Sequence, residues 1–559
     1  MKKSCTQCRQ SFTVADDELK FLDKISPVFN GTKYPLPEPE NCPDCRLKDR
    51  VVNRNEQYFY QNKSALSGKP VIALYSPDTD WGKKIKVYTS EEWWSDKWDA
   101  EDFGRDFDFK RPFFEQFEEL NSQIPKQNLI QTNNENCPYT TGTGYCKNCH
   151  LISCSENDQD CYYGKLIQSS RDIMDSSYVY DSELLYECFN VTKCYNCKYL
   201  SFSQGCNDCD FSENLRGCKN CFLCTNLANK EYHFMNKPFA KAEYEAKVRE
   251  YTESAAGLEK AKNILKELAE KRVHKYADIV NSENSSGDMV TNCKNCTDSY
   301  EINDSRDCKY VVVGVNVKDL MDCSNMYLKP ELNYQVMGTI DTYNVIYGLY
   351  IFYASNVIYS QNCWNCTDLF GCAGLRGNKK FCILNKKYAE EDYKKMVPRI
   401  IEHMKKTGEW GKFFPAKYSP FGYNETVAGE YLPLKREEAL KAGFKWKEKD
   451  NRDYKPQTYV VPKEIAEVKD DILQAVLACK NCGKNFKVIP QELKRLRSMG
   501  LPIPVNCPEC RQFARMTKHT PRKLFSRVCD KCKSPINTPY APDHPETVYC
   551  ESCYLKDVY

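Results

Sequence analysis

Four CxxC hooks close the sequence: Cys479-x2-Cys482 and Cys507-x2-Cys510, then Cys529-x2-Cys532 and Cys550-x2-Cys553. Two thiols on one tight turn, met by two from a second turn, are the usual spacing for a chain that surrounds one tetrahedral zinc ion. Two such sets in tandem predict two zinc ribbons. Four thiolates close the coordination sphere and leave no position for a substrate. The N-terminal end repeats the pattern with Cys5, Cys8, Cys42 and Cys45. Three structural Zn2+ sites are therefore expected, with these twelve cysteines as ligands.

The chain has 33 Cys in 559 residues and a formal charge of only +3. So small a net charge gives no global field to hold nucleic acid or an anionic membrane. The length calls for several domains. No apolar run approaches a membrane span, and Met1-Lys2-Lys3-Ser4 leads directly into Cys5 without a secretory leader. A cytoplasmic setting is expected, where thiols stay reduced and CxxC pairs serve metal rather than disulfides.

The two ends read as copies of one another. Each runs from a hook through an aromatic residue and a short helix to a Cys-Pro-acid-Cys-Arg hook, Cys42–Arg46 or Cys507–Arg511. Cys45 lies 19 residues before Ser64, as Cys510 lies 19 before Cys529. Tyr75-Ser76-Pro77-Asp78 and Val87-Tyr88 match Tyr540-Ala541-Pro542-Asp543 and Val548-Tyr549. Ser64, Ser67, Thr89 and Glu92 thus stand where the C-terminal copy has its last four cysteines. Three hydroxyls and a carboxylate do not replace four soft thiolates around zinc. A metal-free second ribbon is expected there, filled by Trp93, Trp94 and Trp98.

Between the ends lie two Cys-rich blocks. Short β-rich pieces alternate with Asn, Asp and Ser corners, as in Asp307–Val313 and Thr342–Tyr347. A repeat of roughly 20–25 residues would stack such pieces as a β-solenoid. The block ends match, Cys224 through Asn236 to Tyr244 against Cys372 through Asn385 to Tyr393. Buried Cys behaves as a small hydrophobe, so most central thiols are expected in the core. The hooks Cys194/Cys197 and Cys206/Cys209 are the place where spacing would also suit a metal. The run Cys218-x2-Cys221-x2-Cys224 lacks the fourth Cys of a ferredoxin cluster.

The fold class expected is multidomain and mainly β, with terminal zinc ribbons flanking two Cys-rich β-solenoid (parallel β-helix-like) blocks and amphipathic helices between. The segments are a zinc ribbon (1–60), a degenerate ribbon with an acidic, aromatic stretch (61–125), solenoid 1 (126–239), a helical connector (240–282), solenoid 2 (283–388), a helix with a Pro/aromatic connector (389–475), and tandem zinc ribbons (476–559). Tyr244, Val248, Tyr251, Ala255 and Leu258 mark one helix, or two hinged near Gly257. Tyr393, Val397, Ile401 and Met404 mark another, with Pro398 starting a new turn.

No HExxH, P-loop or GxGxxG motif appears, and no pair of acids or Cys–His set can be assigned to catalysis. Basic residues recur at helical steps after each Cys-Pro-acid-Cys-Arg hook: Arg46, Arg50 and Arg54, then Arg511, Arg515, Lys518 and Arg522. That stripe suits phosphates, and the segment from Cys479 onward has 15 Lys+Arg against 7 Asp+Glu. The reading is a non-catalytic interaction or scaffold protein with a protein partner. The alternatives are a nucleic-acid- or ribosome-associated factor, and an enzyme with its site in a solenoid groove.

The hooks at both ends, with Tyr75–Asp78, Trp93-Trp94-Ser95-Asp96, Arg111–Phe117 and Ser419–Thr426, resemble those of large Cys-rich bacterial proteins. That family carries zinc-ribbon modules at both ends and is known mainly from genomes of uncultured bacteria. The resemblance implies structural zinc and no particular activity. In it the second N-terminal ribbon keeps Cys, so this chain departs from the pattern at Ser64, Ser67, Thr89 and Glu92.

Overall fold

A computed structural model describes residues 1–449 and 453–558. It is mainly sheet, with four-Cys clusters near both ends. Two compact units emerge. One joins residues 1–129 to 277–448 and 522–524; the other joins 130–276 to 449–521 and 525–559. Each unit therefore pairs one Cys-rich block with the terminal modules from the far side of the sequence.

Among the described residues both blocks are sheets, of fourteen strands in the first and thirteen in the second, parallel except for the last strand of each, Lys237–Pro238 and Lys386–Lys387, which pairs antiparallel. The register identifies the repeat. Thr140 pairs with Ile152, His150 with Tyr162, Tyr195 with Asn207 and Asn207 with Lys219, each a step of twelve residues. The step is twelve, rather than the 20–25 expected from the sequence. The backbone explains the shorter step. From Tyr145 to Asn229 nearly every third residue has a positive φ near 50–60°, so each turn of chain is divided into sides of three residues.

A left-handed residue costs an ordinary L side chain about 1–2 kcal/mol, and Asn, Asp and Gly least. That cost accounts for their abundance at these corners. Asn136, Asn148, Asp160, Asp172, Asn196, Asp208 and Asn220 all have positive φ. Several form ladders up the corner, such as Asn136 Nδ2 to Asn148 Oδ1 at 3.0 Å and Asn295 Nδ2 to Asp307 Oδ1 at 2.8 Å.

The residue after each corner turns inward. In the first block these inward positions form one cluster of Cys137, Cys146, Cys149, Cys161, Ile167, Val179, Leu185 and others, all nearly inaccessible. Only small or slender side chains fill this narrow interior. Ser serves where a bond is wanted: Ser176 Oγ donates to Met174 O and accepts from the amide of Cys188. Thiols donate the same way, as Cys188 Sγ does to Tyr186 O and Cys197 O, both at 3.5 Å.

Outside the first block a face of Met174 and the aromatic residues Tyr186, Phe211, Phe222 and Phe234 receives Tyr244, Tyr251, Leu258 and Ala261 of two helices, Lys241–Thr252 and Ala255–Lys271. The break lies at Glu253–Ser254, just ahead of Gly257, where Ser254 Oγ accepts from the Gly257 amide. In the other unit helix Glu390–Thr407 runs unbroken through Pro398. Pro398 has no N–H to give the carbonyl of Lys394, and Asn30 Nδ2 supplies the donor at 3.3 Å. No helix is long and apolar enough to cross a membrane among the described residues.

Candidate metal centres

The first hook of each centre is a tight turn held by two backbone bonds. Cys5 N donates to Gln10 O and Arg9 N to Cys5 O; Cys479 N donates to Lys484 O and Gly483 N to Cys479 O. The fourth residue after the first Cys takes a left-handed φ in every copy, at Arg9, Gly483 and Lys533. The second hook of the first two centres opens a helix with Pro at its first position, Pro43–Val51 and Pro508–Met516. Proline loses nothing there, because that N–H has no helical partner.

The sulfurs converge in three groups, Cys5/Cys8/Cys42/Cys45, Cys479/Cys482/Cys507/Cys510 and Cys529/Cys532/Cys550/Cys553. Within each, all lie within 4.8 Å of one another. Cys8 and Cys42 are 3.6 Å apart, Cys482 and Cys507 3.8 Å, and Cys532 and Cys550 3.6 Å. A tetrahedron with metal–sulfur bonds of about 2.3 Å has edges of about 3.8 Å. The four-thiol sets fit a metal ion of that kind. Within a set the thiols share their protons unevenly: the Cys45 thiol pulls Cys42 down to about 5 while Cys45 itself is raised, and Ser534 pulls Cys532 down to about 6. One sulfur in each set, from Cys8, Cys482 or Cys532, is exposed.

Cys194, Cys197, Cys206 and Cys209 do not form such a group among the described residues. They are inward core positions, each no more than 2% exposed. Their CxxC spacing comes from the three-residue side of the coil, which points every third side chain to the interior.

The fourth module keeps the turn without thiols. Ser64 N donates to Lys69 O and Gly68 N to Ser64 O, matching Cys529 N to Ser534 O and Lys533 N to Cys529 O. The four positions that the alignment equates with ligands close on one another. Ser64 Oγ donates to the Glu92 carboxylate, which also accepts from Thr89 N at 3.1 Å, while Thr89 Oγ1 accepts from Glu92 N at 3.1 Å. Burial opposes ionisation of Glu92, yet the hydroxyls of Ser64 and Ser67 and the Thr89 amide bring it down to about 2. Trp93 is fully buried and Trp98 nearly so; Trp94 is 42% exposed, its ring against Trp364.

The basic stripe turns inward. Arg46 Nε donates to Asp322 Oδ2 at 2.8 Å, and Arg50 Nη1 to Asp322 Oδ1 at 3.3 Å. Arg46 also lies over the Tyr310 ring, and Tyr310 OH donates to Glu18 Oε1. The other unit repeats the set. Arg511 and Arg515 reach the two oxygens of Asp175 at 2.7 and 2.9 Å; Arg511 lies over Tyr163, whose OH donates to Glu492 at 2.8 Å. Asp175 and Asp322 are fully buried at left-handed corners of their blocks. Asp322 outweighs burial and keeps Arg46 protonated, as Asp175 does for Arg511.

Arg54 is buried with Glu56, and Arg522 pairs with Glu301 at 2.8 Å over the Tyr431 ring. Lys518 alone of the seven is exposed, and it donates to Ser201 Oγ. These residues therefore do not form the phosphate-facing stripe expected from sequence. Their helical spacing fits them to an internal carboxylate. The partners Asp175, Asp322, Tyr163 and Tyr310 carried one signal in the sequence, their equivalent places in the duplicated blocks.

No protein-family model matches the chain, and no curated protein matches it.

Proposed function

We propose that this is a zinc-binding scaffold protein whose metal is structural and whose work is to bind a protein partner. The observation that carries this is the closed four-thiol set, found three times. A tetrathiolate holds its ion without an open position for substrate. In two of the three sets the metal would fix the first turn of a helix whose arginines lock the module to a β-block. The parallel blocks are read as solenoids, which present long, regular faces. A reducing cytoplasm suits 33 thiols. The resemblance of the terminal hooks to those of zinc-ribbon-bearing Cys-rich bacterial proteins supports a structural role for the metal.

The nucleic-acid reading has lost its main support, because six of its seven basic residues are internal. Fluorescence anisotropy with mixed-sequence RNA and DNA separates the two. The scaffold reading expects no binding at low salt. Binding that weakens by orders of magnitude between about 50 and 200 mM salt would favour the nucleic-acid reading.

A further inference from the structure

One column of charges runs up the outer side of each block. In the first it reads Glu135, Lys147, Gln159, Arg171, Glu183, with ion pairs Lys147–Glu135 at 3.0 Å and Arg171–Glu183 at 2.8 Å. The duplicate in the second block reads Glu283, Lys294, Arg306, Lys318, Glu331, with ion pairs Lys294–Glu283 at 2.9 Å and Lys318–Glu331 at 2.5 Å. The ends of the two columns are alike. The middle differs: a neutral Gln159 in one, and in the other Arg306, which has no acidic partner among the described residues.

The backbone differs on either side of that middle position. Steps along the first column are all twelve residues. Along the second they are eleven from Glu283 to Lys294, twelve, twelve, and thirteen from Lys318 to Glu331. The extra residue sits where Leu328 and Lys329 are both left-handed. These irregular coils bound a groove of about 720 Å³, lined by Arg306, Lys294, Lys318, Lys329, Asn316 and Asp304 among others. Asp304 is engaged by Asn292 Nδ2 at 3.0 Å.

We infer that this groove is a binding site for a small oxyanion, a phosphate or carboxylate group, held by Arg306. Adjacent strands lie about 4.8 Å apart, so Lys294, Arg306 and Lys318 form a close row of cations. The end carboxylates neutralise two of them. The guanidinium in the middle offers a planar fork that matches two oxygens of a phosphate or carboxylate. Lys329 at the bulge supplies a second cation with no ion pair among the described residues, and Asn316 an amide. This site is independent of the metal centres.

The test is calorimetric titration of the full-length, zinc-loaded protein at low ionic strength with inorganic phosphate and, separately, with citrate. Saturable binding of at least one anion is expected, weakened about tenfold or more in Arg306→Gln, which installs the residue of the first block. Phosphate alone would mark a phosphate-bearing ligand, citrate alone a carboxylate. Circular dichroism of the variant should match the parent, because Arg306 is exposed. The inference is overturned if neither anion saturates, or if Arg306→Gln binds as tightly as the parent.

Discussion

Asp322 and Asp175 each hold two arginines away from water, and the chemistry of buried charge sets what their loss would do. Removing one partner of such a set strands the others, at about 3–5 kcal/mol. Asp322→Ala and Asp175→Ala are expected to lower stability by that order in denaturant titrations, far more than a surface Asp such as Asp80. Glu92 is the acceptor on which the thiol-free module closes. Its pKa lies at about 2, below the ordinary 4.5, so its contribution is fully present above pH 4.5 and is lost as pH falls toward 2. Trp93 packs in the same module, so its fluorescence reports the loss. The parent should hold its signal to lower pH than Glu92→Gln, and identical acid transitions would show that the carboxylate does not key the turn. At this scale the sequence was informative about ligands and misleading about arginines. Thiol hooks name the candidate ligands by their spacing. A helical stripe of Arg looks the same whether it faces phosphate or an aspartate some 270 residues later in the chain.

The element that defines the fold is the three-residue side with its left-handed corner. Its interior is narrow, so an inward thiol should accept Ser more readily than a large apolar residue. Ser already occupies such positions at Ser155, Ser170, Ser176, Ser182, Ser203 and Ser212, donating to the carbonyl two residues earlier. Cys206→Ser should cost less than about 2 kcal/mol, while Cys206→Leu should cost more by overpacking. An exposed corner filled by a poor αL residue should be improvable. Lys193 has φ 53°, and Lys193→Asn is expected to raise stability by roughly 0.5–1 kcal/mol. A denaturant midpoint that falls would contradict the corner assignment. The β character of the blocks and the Asn/Asp corners were legible in the sequence. The repeat length was not, because strands of uneven length masked a period of three. CxxC at Cys194 and Cys206 is written identically to a metal hook, and only the local backbone separates the two uses.

At the scale of the whole chain, both duplications are now one. Each compact unit joins a Cys-rich block to a pair of terminal modules through the same set of two arginines, an aspartate, a tyrosine and a glutamate. The sequence showed the copies of the ends and of the blocks separately. Which end joined which block was invisible, since neighbours in sequence are not the ones that pack. The N-terminal modules belong with the second block, and the C-terminal modules with the first. Because helices Pro43–Val51 and Pro508–Met516 begin on metal-site cysteines, chelation should loosen the terminal modules before the blocks. Limited proteolysis after chelator treatment should first cut the terminal modules and leave the parallel blocks protected.

The architecture divides its thiols, with twelve cysteines serving metal and the central ones serving the core. Elemental analysis of the full-length protein, purified under reducing conditions, measures that division directly. Three zinc ions per chain are expected, unchanged in Cys194→Ser and Cys206→Ser and reduced to two in Cys45→Ser. Four or more ions, with loss of one in either core variant, would contradict it, as would fewer than three in the parent.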